Sequence, residues 1–210
     1  MIVRLIRAYL AGIVLCALMN GGAQAQQAAV DPQTVVDKLG VAMIDTMKNA
    51  KQLAFNGRFQ KLAPTIVESY DLARMVSVAV GGAWKQATAQ QRQLLVDAFA
   101  RYTVAVHASR LDGYSGESFK VLGAQELGRG RVVVKSQLVK SNGSTEALDY
   151  TLEQNGSRWQ IVDVSYRGIS DLATRRSEYT SVIKDSGVDR LIAKIDEKTA
   201  ELGHSKTSTN

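Results

Sequence analysis

The stretch that decides the fold covers residues 131–170 and reads RVVVKSQLVKSNGSTEALDYTLEQNGSRWQIVDVSYRGIS. Apolar residues alternate with polar ones on either side of Asn142-Gly143 and again around Asn155-Gly156. A repeat of two residues is typical of strands that bury one face. The stretch therefore predicts three antiparallel strands joined by tight turns and followed by a helix that begins at Ser170.

The first turn of this meander has two solutions, which differ in register by one residue. A two-residue loop at Asn142-Gly143 places Lys135 opposite Tyr150 and mixes the two faces of the sheet. A three-residue loop, Ser141-Asn142-Gly143, keeps the faces separate if Gly143 takes the left-handed conformation. We expect this second solution, which gives the pairs Val134 with Tyr150, Ser136 with Leu148 and, on the outer face, Lys135 with Asp149.

The second turn is interpreted as a two-residue loop at Asn155-Gly156 of the primed type. This loop predicts the pairs Leu152 with Trp159, Tyr150 with Ile161 and, on the outer face, Glu153 with Arg158. Asp163 and Ser165 then continue the inner face at the end of the third strand. The large residues of that face are Val132, Val134, Leu138, Leu148, Tyr150, Leu152, Trp159 and Ile161.

Helices are predicted before the meander. The first begins at Pro32 after the N-cap Asp31, and Val35, Leu39, Met43 and Met47 form its apolar stripe. It winds down over residues 48–57, and a second helix covers residues 58–70 and contains Pro64. Asp71 caps a third helix that ends before Gly81-Gly82. Thr88 and Gln91 form a capping box for a long helix that reaches about Leu111, with Leu95, Phe99, Tyr102 and Val106 on one face.

A strand over residues 119–127 and a turn at Gly128-Arg129-Gly130 complete the sheet. After the sheet, Leu172, Tyr179 and Ile183 face inward from the helix that begins at Ser170, Gly187 interrupts this helix, and a last helix covers residues 188–202. The order of helices, strands and helices predicts an α+β domain in which a four-stranded, curved antiparallel meander packs against helices.

The N-terminus has the pattern of a secretory signal peptide over residues 1–25. Arg4 and Arg7 precede a short apolar run, and Ala23-Gln24-Ala25 is a cleavage signal. Cleavage removes Cys16, the only cysteine, and lowers the formal charge from +6 by the two arginines to +4. We expect a single domain over residues 26–202, a disordered tail over residues 203–210 and a periplasmic location.

The remaining residues exclude most catalytic classes. Thiol chemistry is excluded without a cysteine, and no nucleophile elbow, phosphate-binding loop, dinucleotide fingerprint or metal-ligand spacing occurs in the sequence. No basic cluster with interleaved aromatic residues indicates nucleic acid. An enzyme of isomerase or dehydratase type depends on Asp163, with His107 as a second candidate, but we expect Asp163 to form a structural ion pair with Arg175 or Arg176.

The apolar stripes allow either a solid core or a cavity, and periodicity does not distinguish the two. Met43 and Met47 favour a cavity because methionine is an adaptable pocket lining. If a cavity is present, it lies between the sheet and the helices. Its candidate lining residues are Leu39, Met43, Met47, Phe99, Tyr102, Val106, Val134, Leu138, Leu148, Tyr150, Leu152, Trp159, Ile161, Leu172 and Tyr179.

An ordered set of short motifs resembles a known family. The motifs are Asp71-Leu72, the run from Gly81 to Thr88, Gln91-Arg92, the run from Trp159 to Val164, Gly168-Ile169-Ser170, Arg176 and the run from Gly187 to Ile192. Together they resemble the MlaC-type periplasmic lipid-binding proteins, also called toluene-tolerance auxiliary proteins, over residues 35–202. The run from Ser170 to Tyr179, with Arg175 where the family commonly has an aromatic residue, is closer to the hopanoid-associated, HpnM-type branch.

The resemblance implies a cone-like fold, similar to the nuclear transport factor superfamily, with a cavity between the curved sheet and the helices. It implies a soluble carrier that shuttles a phospholipid or a hopanoid between the outer and inner membranes without a cofactor. We therefore hypothesise that the tails of the lipid contact the candidate lining residues named above, with Arg176 near an anionic head group or paired with Asp163. The implied partners are an inner-membrane ABC transporter with an MCE-domain subunit and an outer-membrane lipoprotein complex.

Overall fold

The structure, a computed structural model, describes residues 31–204. The helices and strands follow one another along this part of the chain as α1 Pro32–Lys48, α2 Ala50–Ser69, α3 Leu72–Val80, α4 Ala83–Gln86, α5 Ala89–Arg110, β1 Ser118–Gly128, β2 Arg131–Val139, β3 Thr145–Asn155, β4 Arg158–Tyr166, β5 Ile169–Ser170 and α6 Asp171–His204. The predicted α+β class is confirmed, since one antiparallel sheet packs against the helices.

The sheet has five strands in the order of the sequence, one more than predicted. The additional strand, β5, pairs with the end of β4 through Tyr166 and Ile169. Arg167 and Gly168 form the turn between them, with φ of 50° and 78°. Two successive positive φ values are typical of a type I′ hairpin turn, so a short hairpin precedes the helix, and its second strand leads directly into α6 at Asp171.

The first hairpin of the meander has the predicted register. Val134 lies opposite Tyr150, Ser136 opposite Leu148 and Lys135 opposite Asp149. Gly143 has a φ of 80°, and its amide donates a hydrogen bond to the carbonyl of Lys140 at 2.9 Å. The three-residue loop Ser141-Asn142-Gly143 is therefore confirmed.

The predicted register of the second hairpin is wrong by two residues. Leu152 lies opposite Ile161, and Trp159 lies opposite Gln154. The turn consists of Gly156 and Ser157, in which only Gly156 has a positive φ, of 63°. Glycine at the first central position is the preference of a type II′ turn, so Gly156-Ser157 forms the loop in place of Asn155-Gly156.

A β-bulge in β4, where Val162 has no partner in β3, then changes which residues of β4 face inward. The register shifts between Thr151 and Leu152, so that Thr151 pairs with Asp163 and Tyr150 pairs with Val164. Because side chains alternate between the faces of a strand, Val164 takes the inner face that was predicted for Asp163. The prediction of an inward Asp163 is therefore wrong.

The predicted N-caps of the helices are confirmed, but the predicted length of one helix is wrong. The side chains of Asp31, Asp71 and Thr88 accept the expected backbone hydrogen bonds at the starts of α1, α3 and α5. The expected winding down over residues 48–57 is wrong, because α2 begins at Ala50 and is broken only at Ala54. Gly187 breaks α6 as predicted, with a φ of 81°, and that helix continues to His204.

The hydrophobic core lies between the inner face of the sheet and α1, α2, α3, α5 and α6. Its largest fully buried side chains include Tyr150, Phe99, Leu39, Leu62, Ile66, Leu95, Leu152, Ile161, Leu191 and Ile195. The predicted signal peptide and most of the predicted tail lie outside the described residues. No helix within residues 31–204 has the length and apolar character needed to span a membrane.

Candidate functional site

A pocket of about 630 Å³ lies between the inner face of the sheet and the helices. Its volume is within the range of ligand-binding pockets, of the order of 300–1,000 Å³. The apolar side chains that line it are Met43, Met47, Met75, Phe99, Val106, Leu111, Leu138, Leu148, Val164 and Ile169. Most of its wall is therefore suited to hydrocarbon.

The predicted contacts divide into two groups. The pocket is lined by Met43, Met47, Phe99, Val106, Leu138, Leu148 and Tyr150. The other predicted contacts are outside the lining and pack in or against the solid core, namely Leu39, Tyr102, Val134, Leu152, Trp159, Ile161, Leu172 and Tyr179. One end of the space between the sheet and the helices is therefore a solid core, and the other end is an open pocket. Both alternatives that the sequence periodicity left open are thus present.

The junction between α2 and α3 places Tyr70 in the pocket wall. The amide of Asp71 donates a hydrogen bond to the carbonyl of Ile161 at 2.9 Å, and Tyr70 forms an isolated bridge with the same residue of β4. Because β4 holds the backbone here, the Tyr70 side chain, only 2% exposed, is fixed against the pocket.

The Tyr70 hydroxyl lies 3.4 Å from Nε2 of His107 on α5. On the other side of the ring, Nδ1 of His107 is 2.8 Å from the carbonyl of Thr103. A carbonyl only accepts, so Nδ1 carries the proton. Burial lowers the pKa of His107 below its ordinary value, which favours the neutral ring, and Nε2 then accepts from the Tyr70 hydroxyl.

Tyr150 contributes a second buried hydroxyl to the pocket. The residue is 2% exposed, and burial alone raises the pKa of its hydroxyl.

Arg175 brings a charge into the apolar wall. Its side chain is 13% exposed, and its Nε donates to Oδ2 of Asp171 at 2.5 Å. The guanidinium lies 4.8 Å from the ring centroid of Tyr102 and 5.7 Å from that of Phe99, which are distances of cation–π contact. Burial lowers the pKa of Arg175, but the Asp171 carboxylate outweighs it and raises the pKa above the ordinary value. The cation is thus held in place and stays charged.

Neither Arg176 nor Asp163 lies where it was predicted, in or against the pocket. Arg176 is exposed and lies near Gly81, outside the pocket lining. Asp163 accepts hydrogen bonds from the Ser170 hydroxyl at 2.6 Å and from the Leu172 amide at 3.1 Å, so it caps the start of α6. The predicted ion pair of Asp163 with Arg175 or Arg176 is therefore wrong, since Arg175 pairs with Asp171.

The pocket opens at a rim of exposed residues, where Tyr166 and Ile169 of the last hairpin are 39% and 69% exposed. Arg110, at the end of α5, lies on the same rim. Glu146, also in the lining, forms ion pairs with Lys140 at 2.7 Å and with Arg167 at 3.2 Å. The lining itself contains two arginines, Arg110 and Arg175, and two carboxylates, Glu146 and Asp171.

Tyr70, Met75, Val164 and Arg175 line the pocket but were not predicted from the sequence as pocket residues. The departure of Arg175 from the aromatic residue common in the resembled family was the available signal for that residue. No group of three or more metal-ligating side chains lies close enough together among residues 31–204 to bind a metal ion.

Comparison with known proteins gives a family for this chain. The sequence model of the family described as MlaC protein matches residues 37–197, which include all the residues that line the pocket. The chain belongs to the MlaC family. It is 22% identical to the intermembrane phospholipid transport system binding protein MlaC of Haemophilus influenzae over 129 residues. These residues are 60% of this chain and 60% of that protein.

Two further proteins are similar to this member of the MlaC family. The toluene tolerance protein ttg2D of Pseudomonas putida is 22% identical over 189 residues, 87% of this chain and 86% of that protein. The structure of a phospholipid-binding protein from Ralstonia solanacearum in complex with a phospholipid superposes with a TM-score of 0.73 and 28% identity. That superposition covers 82% of this chain and 98% of the other.

Proposed function

We propose that this protein binds a membrane lipid by its acyl chains in the pocket and carries it between membranes. The observation that supports this most strongly is the apolar pocket itself, which lies between the sheet and the helices in a fold shared with a phospholipid-bound relative. A carrier of this kind needs a dry wall for hydrocarbon and no catalytic group.

The size of the pocket sets how much hydrocarbon it holds. A volume of about 630 Å³ corresponds to about 20 water molecules at about 30 Å³ each, and a methylene group occupies a similar volume. Burial of each methylene contributes about 0.8 kcal/mol. The pocket as described therefore takes one long acyl chain fully, and a second chain extends toward the rim or widens the pocket.

The similar proteins favour a phospholipid as the lipid that this protein binds. The relative from Haemophilus influenzae is a binding protein of a phospholipid transport system, and the relative from Ralstonia solanacearum is a phospholipid-binding protein in complex with a phospholipid. A hopanoid is the alternative, because the run from Ser170 to Tyr179 resembles the hopanoid-associated branch. We further propose that the carrier works in the periplasm, with an inner-membrane ABC transporter that contains an MCE-domain subunit and with an outer-membrane lipoprotein complex.

An enzyme on the same scaffold has less support. Asp163, the residue on which that alternative depended, caps α6 and is outside the pocket lining. His107 does line the pocket, but both of its ring nitrogens are engaged by Thr103 and Tyr70.

A transfer assay between two vesicle populations tests the carrier function. Donor vesicles contain a fluorescent phospholipid with a quencher, and acceptor vesicles contain neither. The protein is expected to accelerate dequenching in proportion to its concentration, and lipid extracted from the purified protein is expected to be phospholipid. No acceleration over a Leu148→Arg control would contradict carriage, and extracted hopanoid would select the alternative ligand.

A further inference from the structure

A row of paired residues crosses the sheet from the core to the solvent at the rim of the pocket. Ser136 of β2 lies opposite Leu148 of β3. Leu148 in turn lies opposite Tyr166 of β4, which pairs with Ile169 of β5. Directly opposed residues point to the same face of a sheet, so the whole row belongs to the inner face. Ser136 is buried, Leu148 is half-buried, and the last two residues are exposed, so the inner face continues beyond the pocket into solvent.

The exposed end of this row is a tight hairpin, residues 166–169, which we call the rim hairpin. Its Ile169 lies on the edge strand β5 and is the most exposed large apolar side chain within residues 31–204. Of the exposed large apolar side chains in that range, only Tyr166 and Ile169 line the pocket. Single exposed apolar residues are ordinary on a protein surface, but a pair continuous with an apolar pocket indicates an interaction surface.

The rim hairpin has cations beside this apolar pair. The guanidinium of Arg167 lies 5.1 Å from the ring centroid of Tyr166 and forms an ion pair with Glu146, which Lys140 also contacts. The side chains of Arg167 and Lys140 are 65% and 43% exposed, whereas that of Glu146 is 18% exposed. Two exposed cations therefore share one more deeply placed carboxylate, and the hairpin presents positive charge to the solvent.

The other charged residues of the pocket lining do not reverse this charge. Asp171 is paired with Arg175, and Arg110 is a further exposed cation. Apolar and aromatic side chains flanked by lysine and arginine are typical of segments that lie in the interface of a bilayer with anionic lipids. A bilayer also suits the continuity of the row, because hydrocarbon that leaves the pocket along the inner face reaches the rim hairpin.

We propose that the rim hairpin docks on the surface of a bilayer that contains anionic lipid. In the docked position Tyr166 and Ile169 lie among the lipid head groups, and Arg167 and Lys140 face the negative charge of the surface. This inference rests on the proposed carrier function and adds the place at which the lipid enters and leaves. The inner face of the sheet then joins the pocket to the bilayer, and an acyl chain crosses between them without exposure to water.

The turn between β1 and β2 provides a matched control at the opposite end of the sheet. Arg129 lies in this turn with a φ of 55°, close to the 50° of Arg167 in the rim hairpin. Leu127, just before the turn, is also an exposed apolar residue. Both control residues are outside the pocket lining. The two turns thus offer an arginine and an apolar side chain each, and only one turn adjoins the pocket.

Flotation of the purified protein with vesicles tests the docking. Wild-type protein is expected to float with vesicles of phosphatidylglycerol and phosphatidylcholine and much less with phosphatidylcholine alone. Arg167→Gln is expected to weaken binding to the anionic vesicles about fivefold, and Ile169→Asp about tenfold. Arg129→Gln and Leu127→Asp are expected to bind as wild type does. Protein that has only extracted a lipid leaves the vesicles, so flotation measures docking and not occupation of the pocket.

The outcomes separate docking from carriage. Docking is wrong if wild-type protein does not float with anionic vesicles, or if a folded variant of the rim hairpin binds as tightly as its control. Circular dichroism checks folding, and Arg167→Gln, a change at an exposed turn residue, decides if Ile169→Asp does not fold. Protein that contains lipid by native mass spectrometry but does not float would contradict docking and leave the carrier function standing. Protein without lipid that floats through the rim hairpin would contradict carriage and support docking.

Discussion

The ring of Phe119 on β1 packs directly on the backbone of Gly40 in α1. A methyl group added at Gly40 would lie 2.1 Å from Cδ1 and 2.6 Å from Cε1 of Phe119. Met43 and Met47 follow on the same helix and line the pocket. The close approach of α1 to the sheet therefore sets the position of one pocket wall.

Gly40→Ala is expected to destabilise the protein although alanine is the better helix former. Overlap with the Phe119 ring costs about 1–3 kcal/mol, which exceeds the gain of about 1 kcal/mol in helix propensity. Chemical denaturation measures the difference. Gly82→Ala is the matched control, since nothing lies within 4 Å of the added methyl group there. Equal stability of Gly40→Ala and wild type would show that α1 is not held this closely.

Ala54→Gly is expected to stabilise the protein. Ala54 has a φ of 49° and a ψ of −168° inside α2, a conformation that is nearly restricted to glycine and costs other residues about 1–3 kcal/mol. The free energy of unfolding should rise by about 1 kcal/mol. Ala193→Gly, at an exposed position of α6, is expected to lower it by about 1 kcal/mol. Loss of stability in both variants would contradict a break at Ala54.

Acidification is expected to destabilise the protein through His107. Burial lowers its pKa in the folded state below the ordinary value of 6.5, so the unfolded chain takes up the proton first. The contribution of the neutral ring is complete above pH 6.5 and is lost as the pH falls from there through the lower folded-state pKa. This pH range begins above the pH range in which aspartate and glutamate carboxylates titrate.

Denaturation curves measured at successive pH values check this dependence. The fall in unfolding free energy just below pH 6.5 should be absent in His107→Gln, which retains a donor for the Thr103 carbonyl and does not titrate. His204→Gln, at an exposed position, should behave as wild type. An identical fall in His107→Gln would assign the effect to another group.

Leu148 and Leu152 lie on the same face of β3 but in different surroundings. Leu148 lines the pocket, and Leu152 is fully buried in the core. Leu148→Arg is expected to abolish binding of a fluorescent phospholipid with little change in melting temperature, because the long side chain reaches the rim. Leu152→Ala is expected to lose about 2–5 kcal/mol of stability and to bind lipid normally while folded. Severe unfolding of Leu148→Arg would indicate a packed core at that position.

Local rules predicted the first hairpin because two independent features agreed. The loop required a left-handed glycine at Gly143, and the opposed charges of Lys135 and Asp149 selected the same register. The caps at Asp31, Asp71 and Thr88 were predicted for the same reason, since each side chain satisfies amides of its own first turn.

The second hairpin was not predicted because two turns were compatible with its residues. Asn155-Gly156 suits a type I′ turn and Gly156-Ser157 suits a type II′ turn, and the bulge at Val162 leaves no mark in the alternation. The bulge places Asp163 on the other face of the sheet. From there its carboxylate caps α6 and fixes the rotation of that helix. Arg175 consequently faces the pocket and Arg176 faces outward, which depends on long-range geometry and not on local sequence.

Native mass spectrometry of the gently purified protein tests the central claim most directly. The claim is that the space between the sheet and the helices holds a lipid. We predict a mass above that of the polypeptide by one phospholipid, absent in Leu148→Arg. A spectrum of the polypeptide alone, together with no binding of added fluorescent phospholipid, would contradict the account.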